Sequence, residues 1–323
     1  MRVERWTPTR ARTAIASPDL ARSVGPAVGV AGVVVDLDPT CADVATALSG
    51  LPVVAVGVGV ADDSAPDNEW DVVVADPSEV VEGILAAPLA AVTAAQVLRG
   101  SRQRSIADGL LLESLAYASL QAGPEFDAWL ADRGRRVRPT DGTPRVRVDD
   151  LGDRVEVWLT RPRLRNLLDA AMRDQLVEAL EALAHGPSRP VVLRGEGAAF
   201  CAGGDTAEFG TVSDPATAHA LRSTANVAPW LARIADRTTA VVDGACVGAG
   251  TELAAFCGRV EATSGARFRL PETRMGLIPG AGGTVSIPRR IGARRTLEWL
   301  LTDRELDAET ALEWGLVDEI VTD

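Results

Sequence analysis

Short valine-rich runs alternate with amphipathic helical stretches from one end of this 323-residue chain to the other. That alternation admits little besides an α/β fold. In the first half, GVAGVVVDLD, LPVVAVGVGV and WDVVVAD read as buried strands, separated by the helix-like CADVATALSG and by an acidic loop, ADDSAPDNEW. From Pro77 the pattern turns helical. SEVVEGILAAPLAAVTAAQVLRG, SIADGLLLESLAYASLQAG and PEFDAWLADRGRR each carry an apolar face, with Ser105 and Pro124 placed to start helices. A polar joint, Arg135 to Thr143, divides the halves with Pro-Thr-Asp-Gly turn chemistry. Beyond it, VRVDDLGDRVEVWLTRP reads as a hairpin around a Gly-Asp turn. Then come a helix over Leu167–His185, a strand in PVVLRG, a helix near 217–235 and a strand in TTAVVDGACVG. A helix over Thr251–Cys257, a strand through Ala266–Leu270 and helices near 292–302 and 308–314 complete the pattern.

Composition excludes more than it assigns. With 46% apolar residues the chain can fill a core. Its net charge of −12 leaves no basic footprint for nucleic acid. All 33 basic residues are arginine, so Schiff-base and phosphate-loop lysine chemistry is impossible. From Ser23 to Leu98 there is no basic residue at all. Two histidines, His185 and His219, cannot build a His-rich metal site, and Cys41, Cys201, Cys246 and Cys257 lack metal-ligand spacing. The cysteines read as reduced, buried small hydrophobes. The N-terminus is too charged for a signal peptide, and the best apolar run, Val24 to Val35, is far short of a membrane span. A soluble, cytoplasmic protein with no membrane, metal or nucleic-acid partner is expected.

Two glycine-rich segments carry the chemistry. GEGAAFCAGGD (Gly195–Asp205) follows a strand, and VDGACVGAGTEL (Val242–Leu253) joins a strand to a helix. Small residues there let backbone N–H groups approach a ligand, and the second segment lies at the positive end of a helix dipole. Two such donors aimed at one point form an oxyanion hole. Glu252 begins the apolar helix TELAAFC, and Glu272 follows Pro271 in RLPETRMGLIPGAGGT. Glu252 alone reads equally well as a dipole partner, and Glu272 as solvated or paired with Arg274. Together, flanking an oxyanion hole, they suit acid–base work on a carbonyl derivative.

Residues 144–323 resemble the crotonase (enoyl-CoA hydratase/isomerase) superfamily nearly end to end. The resemblance rests on five ordered blocks: RPRLRNLLD, AFCAGGD, DGACVGAGTELAAFC, FRLPETRMGLIPGAGGT and ALEWGLVDEIV. It implies a spiral of ββα units and stabilisation of a thioester enolate by two backbone N–H groups. By position, those donors are Gly204 and Ala249. The family's catalytic pair falls on Glu252, assigned mainly to water, and Glu272, assigned to proton transfer. Isomerase branches commonly lack one of the two, so retaining both favours hydration of a 2-enoyl-CoA. Coenzyme A is then part of the substrate, with no separate cofactor. Arg163, Arg165 and Ala202 match the stretch that meets coenzyme A in relatives, Asp205 orders its own loop, and Phe200 and the segment from Phe209 to Trp230 line the acyl pocket. A homotrimer or hexamer is the implied assembly.

The order of parts departs from the family. The crotonase core reaches Asp323 just after ALEWGLVDEIV, where relatives continue into capping helices, whereas residues 78–136 look like that segment placed upstream. The expected organisation is an N-terminal α/β region over 1–77 that reads as a degenerate crotonase remnant, a helical segment over 78–136 that resembles the crotonase C-terminal helices, and the core over 144–323. On this reading the N-terminal half supplies the capping helices, as in a circular permutant; an unrelated α/β domain preceding a truncated core is the alternative. For function, the alternatives are isomerisation, C–C hydrolysis or decarboxylation on the same scaffold, or a non-catalytic subunit that binds acyl-CoA or a partner.

Overall fold

The computed structural model describes residues 1–38, 41–59, 70–134, 142–212 and 214–322. The acidic loop up to Glu69 and the joint over 135–141 lie outside the described residues.

The three valine-rich runs of the first half are strands: β2 (Val30–Asp36), β3 (Val54–Val58) and β4 (Val72–Val74). They form a parallel sheet in the order β1-β2-β3-β4, whose first strand is Arg2–Trp6. Strand β1 was not visible in the sequence, because RVERW is a charged edge strand with one buried residue. Helices α1 (Pro8–Ile15) and α3 (Ala42–Ser49) cover one face, with the short α2 (Leu20–Ser23) between them in sequence. The period of two sorts β3 cleanly. Ala55 packs with Val44 and Leu48 on that side, while Val54 and Val56 join the main core on the other.

That other face meets α4 (Ser78–Ala86) and α5 (Pro88–Leu98). The sequence suggested one helix here; the structure has two, bent by 110°. Pro88 explains the break. It cannot donate a helical hydrogen bond, and it drives Ala87 out of the helical region to φ −145°, ψ 74°. No single helix among the described residues is long and apolar enough to cross a membrane. Arg99, just past α5, pins it to the sheet by donating to Asp71 and to the carbonyls of Ser49, Leu51 and Val53. Helices α6 (Ile106–Gln121) and α7 (Pro124–Arg133) follow, started by Ser105, whose hydroxyl accepts from the Asp108 amide, and by Pro124 at the first helical position.

The second half winds as a spiral of two-strand turns. After the hairpin β5 (Val146–Asp150) and β6 (Val155–Leu159) and the helix α8 (Ala170–His185), capped by Asp169, each turn contributes one strand to each of two sheets. The pairs are β7 (Val191–Gly195) with β8 (Ala199–Cys201), β9 (Thr238–Val242) with β10 (Ala245–Val247), and β11 (Arg259–Thr263) with β12 (Arg267–Arg269). The larger sheet runs β14-β11-β9-β7-β6-β5, with β14 being Glu319–Val321, and the smaller β13-β12-β10-β8, with β13 being Leu306–Asp307. Each step along the chain therefore advances both sheets by one strand. Strands β8, β10 and β12 are mutually parallel, so their C-terminal ends point the same way. Ligands gather at such ends.

Helices complete the spiral: α9 (Pro215–Thr224) and α10 (Ala228–Arg233) after β8, α11 (Ala249–Phe256) after β10, then α12 (Gly283–Ile291) and α13 (Ala293–Thr302) after β12. The short β13 (Leu306–Asp307), α14 (Ala308–Trp314) and β14 (Glu319–Val321) end the described chain. The single helix expected near 217–235 is two, separated where Asn226 accepts the Ala228 amide. Helix α12 had no forecast; its sequence, GTVSIPRRI, carries β-branched residues and an internal proline. Apolar residues of α4–α6, α11–α13 and both spiral sheets form one contiguous core, so the N-terminal helices are packed into the spiral.

Candidate active site

Three turns leave the C-terminal ends of β8, β10 and β12, and they converge on one cavity of about 590 Å³. After β8, Ala202, Gly203 and Gly204 line it; after β10, Gly248, Ala249 and Glu252; after β12, Pro271 and Glu272. The two glycine loops and both glutamates that the sequence singled out thus come together. Arg163 and Arg165 do not line the cavity. Both are exposed, without an ion pair among the described residues, and the Arg165 carbonyl accepts the Ala202 amide at 2.9 Å. Asp205 does order its loop: its carboxylate accepts the Ala207 amide and pairs with Arg161 at 2.8 Å. Phe200 is a correction. It points into the core, 1% exposed, because β8 turns that side chain away from the cavity. The stretch from Phe209 to Val227 does line the wall, through Phe209, Val212, Leu221 and Arg222 among others.

Close packing sets the turn before α11. Gly248 has φ +49°, and its amide donates 2.9 Å to the Arg269 carbonyl. A Cβ there would sit 2.5 Å from Glu272 Oε1 and 3.8 Å from the Gly203 Cα, so only glycine lets the loops and the carboxylate meet. Helix α11 begins two residues earlier than the sequence suggested, which makes Ala249 its first residue. The Ala249 N–H therefore has no acceptor within its helix and lies at the positive end of the dipole. It is available to a developing oxyanion, as is the glycine backbone across the cavity at Gly204.

The carboxylates are buried, Glu252 2% and Glu272 9% exposed. Glu252 Oε2 accepts the amides of Ala281 and Gly283, each at 2.7 Å. Burial pushes its carboxyl up to about 7, against the lowering pull of those amides. Glu272 has one carboxyl oxygen, Oε2, buried with no hydrogen-bond partner among the described residues. Burial first, and the Glu252 charge second, hold its carboxyl well above the usual range. Two carboxyls with raised proton affinity thus line one cavity. Arg274 pairs with Glu82 at 3.8 Å rather than with Glu272.

Three further residues had escaped the sequence reading. Glu113 of α6 is 2% exposed and accepts from the Gly282 amide at 2.7 Å, the Thr284 amide at 2.9 Å and the Thr284 hydroxyl at 2.7 Å. Burial and then the Glu252 charge push its carboxyl up to about 8, against the Thr284 and Gly282 hydrogen bonds. Tyr117, one turn on, lines the cavity, and a Cβ on Gly280 would lie 2.5 Å from its ring. Arg222 of α9 lines the same wall. The only sequence signal was an acid amid the apolar residues of GLLLESL. Helix α6 thus closes the cavity from the N-terminal half, and Ser114 Oγ lies 2.8 Å from His219 Nδ1 on α9.

The second half of the chain is similar to known proteins. The family profile described as enoyl-CoA hydratase/isomerase matches residues 155–323. The "Probable enoyl-CoA hydratase" of Rhodobacter capsulatus is 38% identical over 170 residues, 52% of this chain and 65% of that protein. The 4-chlorobenzoyl coenzyme A dehalogenase-2 of an Arthrobacter species is 33% identical over 198 residues, covering 60% of this chain and 68% of that one. The chain thus spans less than two thirds of the Rhodobacter relative. Among solved structures, the Thermobifida fusca YX protein crystallised in complex with acetoacetyl-CoA superposes with a TM-score of 0.51. It is 28% identical, over 56% of this chain and 74% of that one.

Proposed function

The chain belongs to the enoyl-CoA hydratase/isomerase family, the crotonase superfamily, and from that premise we propose that it adds water across the double bond of a 2-enoyl-CoA. The carrying observation is that Glu252 and Glu272 face one cavity with the backbones of Gly204 and Ala249. In this reading the thioester oxygen sits between those two N–H groups, which take up the negative charge as the enolate forms. Ionised Glu252 accepts a proton from water as the water oxygen bonds to the β-carbon. Electrons of the double bond move toward the carbonyl, and Glu272 delivers its proton to the α-carbon as the carbonyl re-forms. Transfer of the proton from Glu252 back to Glu272 restores the starting state, so no atom is left over. Burial raises the proton affinity of both carboxyls, Glu252 to about 7, which supports proton exchange by this pair near neutral pH.

Arg163 and Arg165, exposed near Ala202, are the proposed contacts for the coenzyme A phosphates. The chemistry is tested by incubating the protein with crotonyl-CoA and following enoyl absorbance. Its loss, with appearance of 3-hydroxybutyryl-CoA, is expected. Unchanged absorbance across enoyl chain lengths sinks the hydratase reading in favour of another enolate reaction or of thioester binding alone.

A further inference from the structure

The cavity that Glu252 lines also holds a guanidinium with no acidic partner among the described residues. Arg222 lines its wall. The guanidinium carbon lies 4.1 Å from the Tyr117 ring centre. One terminal nitrogen donates 2.7 Å to Gln121 Oε1 and the other 3.2 Å to the Ala218 carbonyl. All three partners are neutral, and Arg222 makes no ion pair among the described residues. Burial lowers its proton affinity, while Tyr117, Glu113 and Glu252 act to raise it and Arg173 to lower it.

The nearby glutamates feel the charge of Arg222, which pulls the Glu252 carboxyl down against burial, but neither forms a hydrogen bond or ion pair with it among the described residues. Glu252 is held by two amides and Glu113 by two amides and a hydroxyl, each within 2.9 Å. Of the five guanidinium N–H donors, two are engaged among the described residues. Gln121, its oxygen taken by Arg222, retains an amide nitrogen to donate, and it lines the same cavity. A planar cation flattened on an aromatic ring beside a spare amide is suited to a carboxylate, which accepts two parallel hydrogen bonds. A partly buried cation without an anion is costly, and a bound carboxylate removes that cost.

Resting on the reading of this cavity as an acyl-thioester site, we propose that Arg222, with Gln121, recognises a second carboxylate at the far end of the acyl group. The substrate class is thus the coenzyme A monothioester of a dicarboxylic acid. The apolar neighbours Leu221, Val227 and Leu253 flank the methylene chain between the two ends.

Calorimetric titration with two unreactive five-carbon thioesters, glutaryl-CoA and valeryl-CoA, tests this. The wild-type chain is expected to bind glutaryl-CoA about 10-fold or more tightly than valeryl-CoA, as one charge-assisted contact provides. Arg222→Gln removes the preference by weakening glutaryl-CoA alone, and Arg222→Lys restores part of it. A wild-type preference for valeryl-CoA overturns the carboxylate subsite and leaves the hydratase reading standing, as does a preference that survives Arg222→Gln. If neither thioester binds, the thioester reading falls and the subsite with it. The wild-type comparison decides the matter even if a variant fails to fold.

Discussion

Glu113 and Glu252 grip alternate amides of one turn. Glu252 takes the N–H groups of Ala281 and Gly283, and Glu113 those of Gly282 and Thr284. A helix from the N-terminal half and a helix from the spiral thereby fix the same four residues. Glu113 does not line the cavity, so its effect on the reaction passes through Glu252. Glu113→Leu leaves buried donors unpaired and is expected to cost about 3 kcal/mol or more of stability. Urea unfolding measures that loss. Hydration of crotonyl-CoA should fall as well, although no atom of Glu113 meets substrate.

Exchange of either proposed catalytic carboxyl for an amide isolates the chemistry. Glu252→Gln and Glu272→Gln should each lower kcat/KM by about 10²–10⁴-fold. Affinity for an unreactive thioester such as butyryl-CoA should stay within a few-fold, because neither group carries the binding. The double variant should fall little below the worse single one, since the two carboxyls act as a unit. Steady-state rates and calorimetric titration together check all three statements.

The buried acids give stability a pH dependence of definite sign. Folding raises Glu113 to about 8, Glu252 to about 7, and Glu272 well above the ordinary value of 4.5. Between 4.5 and these values the folded chain binds more protons than the unfolded one. Unfolding free energy therefore falls as pH rises through this window, and this loss ends once both states are ionised. Melting temperature should drop from about pH 5 to about pH 8. The drop should be shallower in Glu113→Leu. A melting temperature that climbs across the same range contradicts the assignment.

Gly83 reports on how α4 seats against α13. A Cβ at that position would overlap the Leu301 carbonyl, a backbone atom with no freedom to move aside. Helix propensity alone favours alanine by about 1 kcal/mol, so the sign of the change is diagnostic. Gly83→Ala should destabilise the chain, read as a lower melting temperature. Stabilisation would mean that α4 does not pack on α13 in solution.

Much of the candidate site was legible because it depends on local chain chemistry. The glycine turns after β8 and β10 and the carboxyls at Glu252 and Glu272 are fixed by residues next to one another in sequence. The valine-rich strands β2, β3 and β4 were legible for the same reason. Ser105 and Pro124 marked their helices through capping chemistry. What escaped depends on contacts between distant segments. Nothing near Glu113 says that its partners lie 171 residues on at Thr284. Nor does LRSTAN show that Arg222 will lie flat on Tyr117. Phe200 went wrong for a related reason: the alternation of β8 decides which face a side chain takes, and a three-residue strand shows too little of it.

The alternating grip on residues 281–284 also has a consequence in time. A ribosome completes Glu113 well before Thr284, a wait of roughly 10–30 s at ordinary elongation rates. Through that interval α5 and α6 exist with apolar faces whose partners, α12 and α13, have not been made. The nascent chain must keep those faces from wrong neighbours until residues 283–302 emerge. The turn held by Glu113 and Glu252 is thus also the segment on which the packing of α6 against α12 waits.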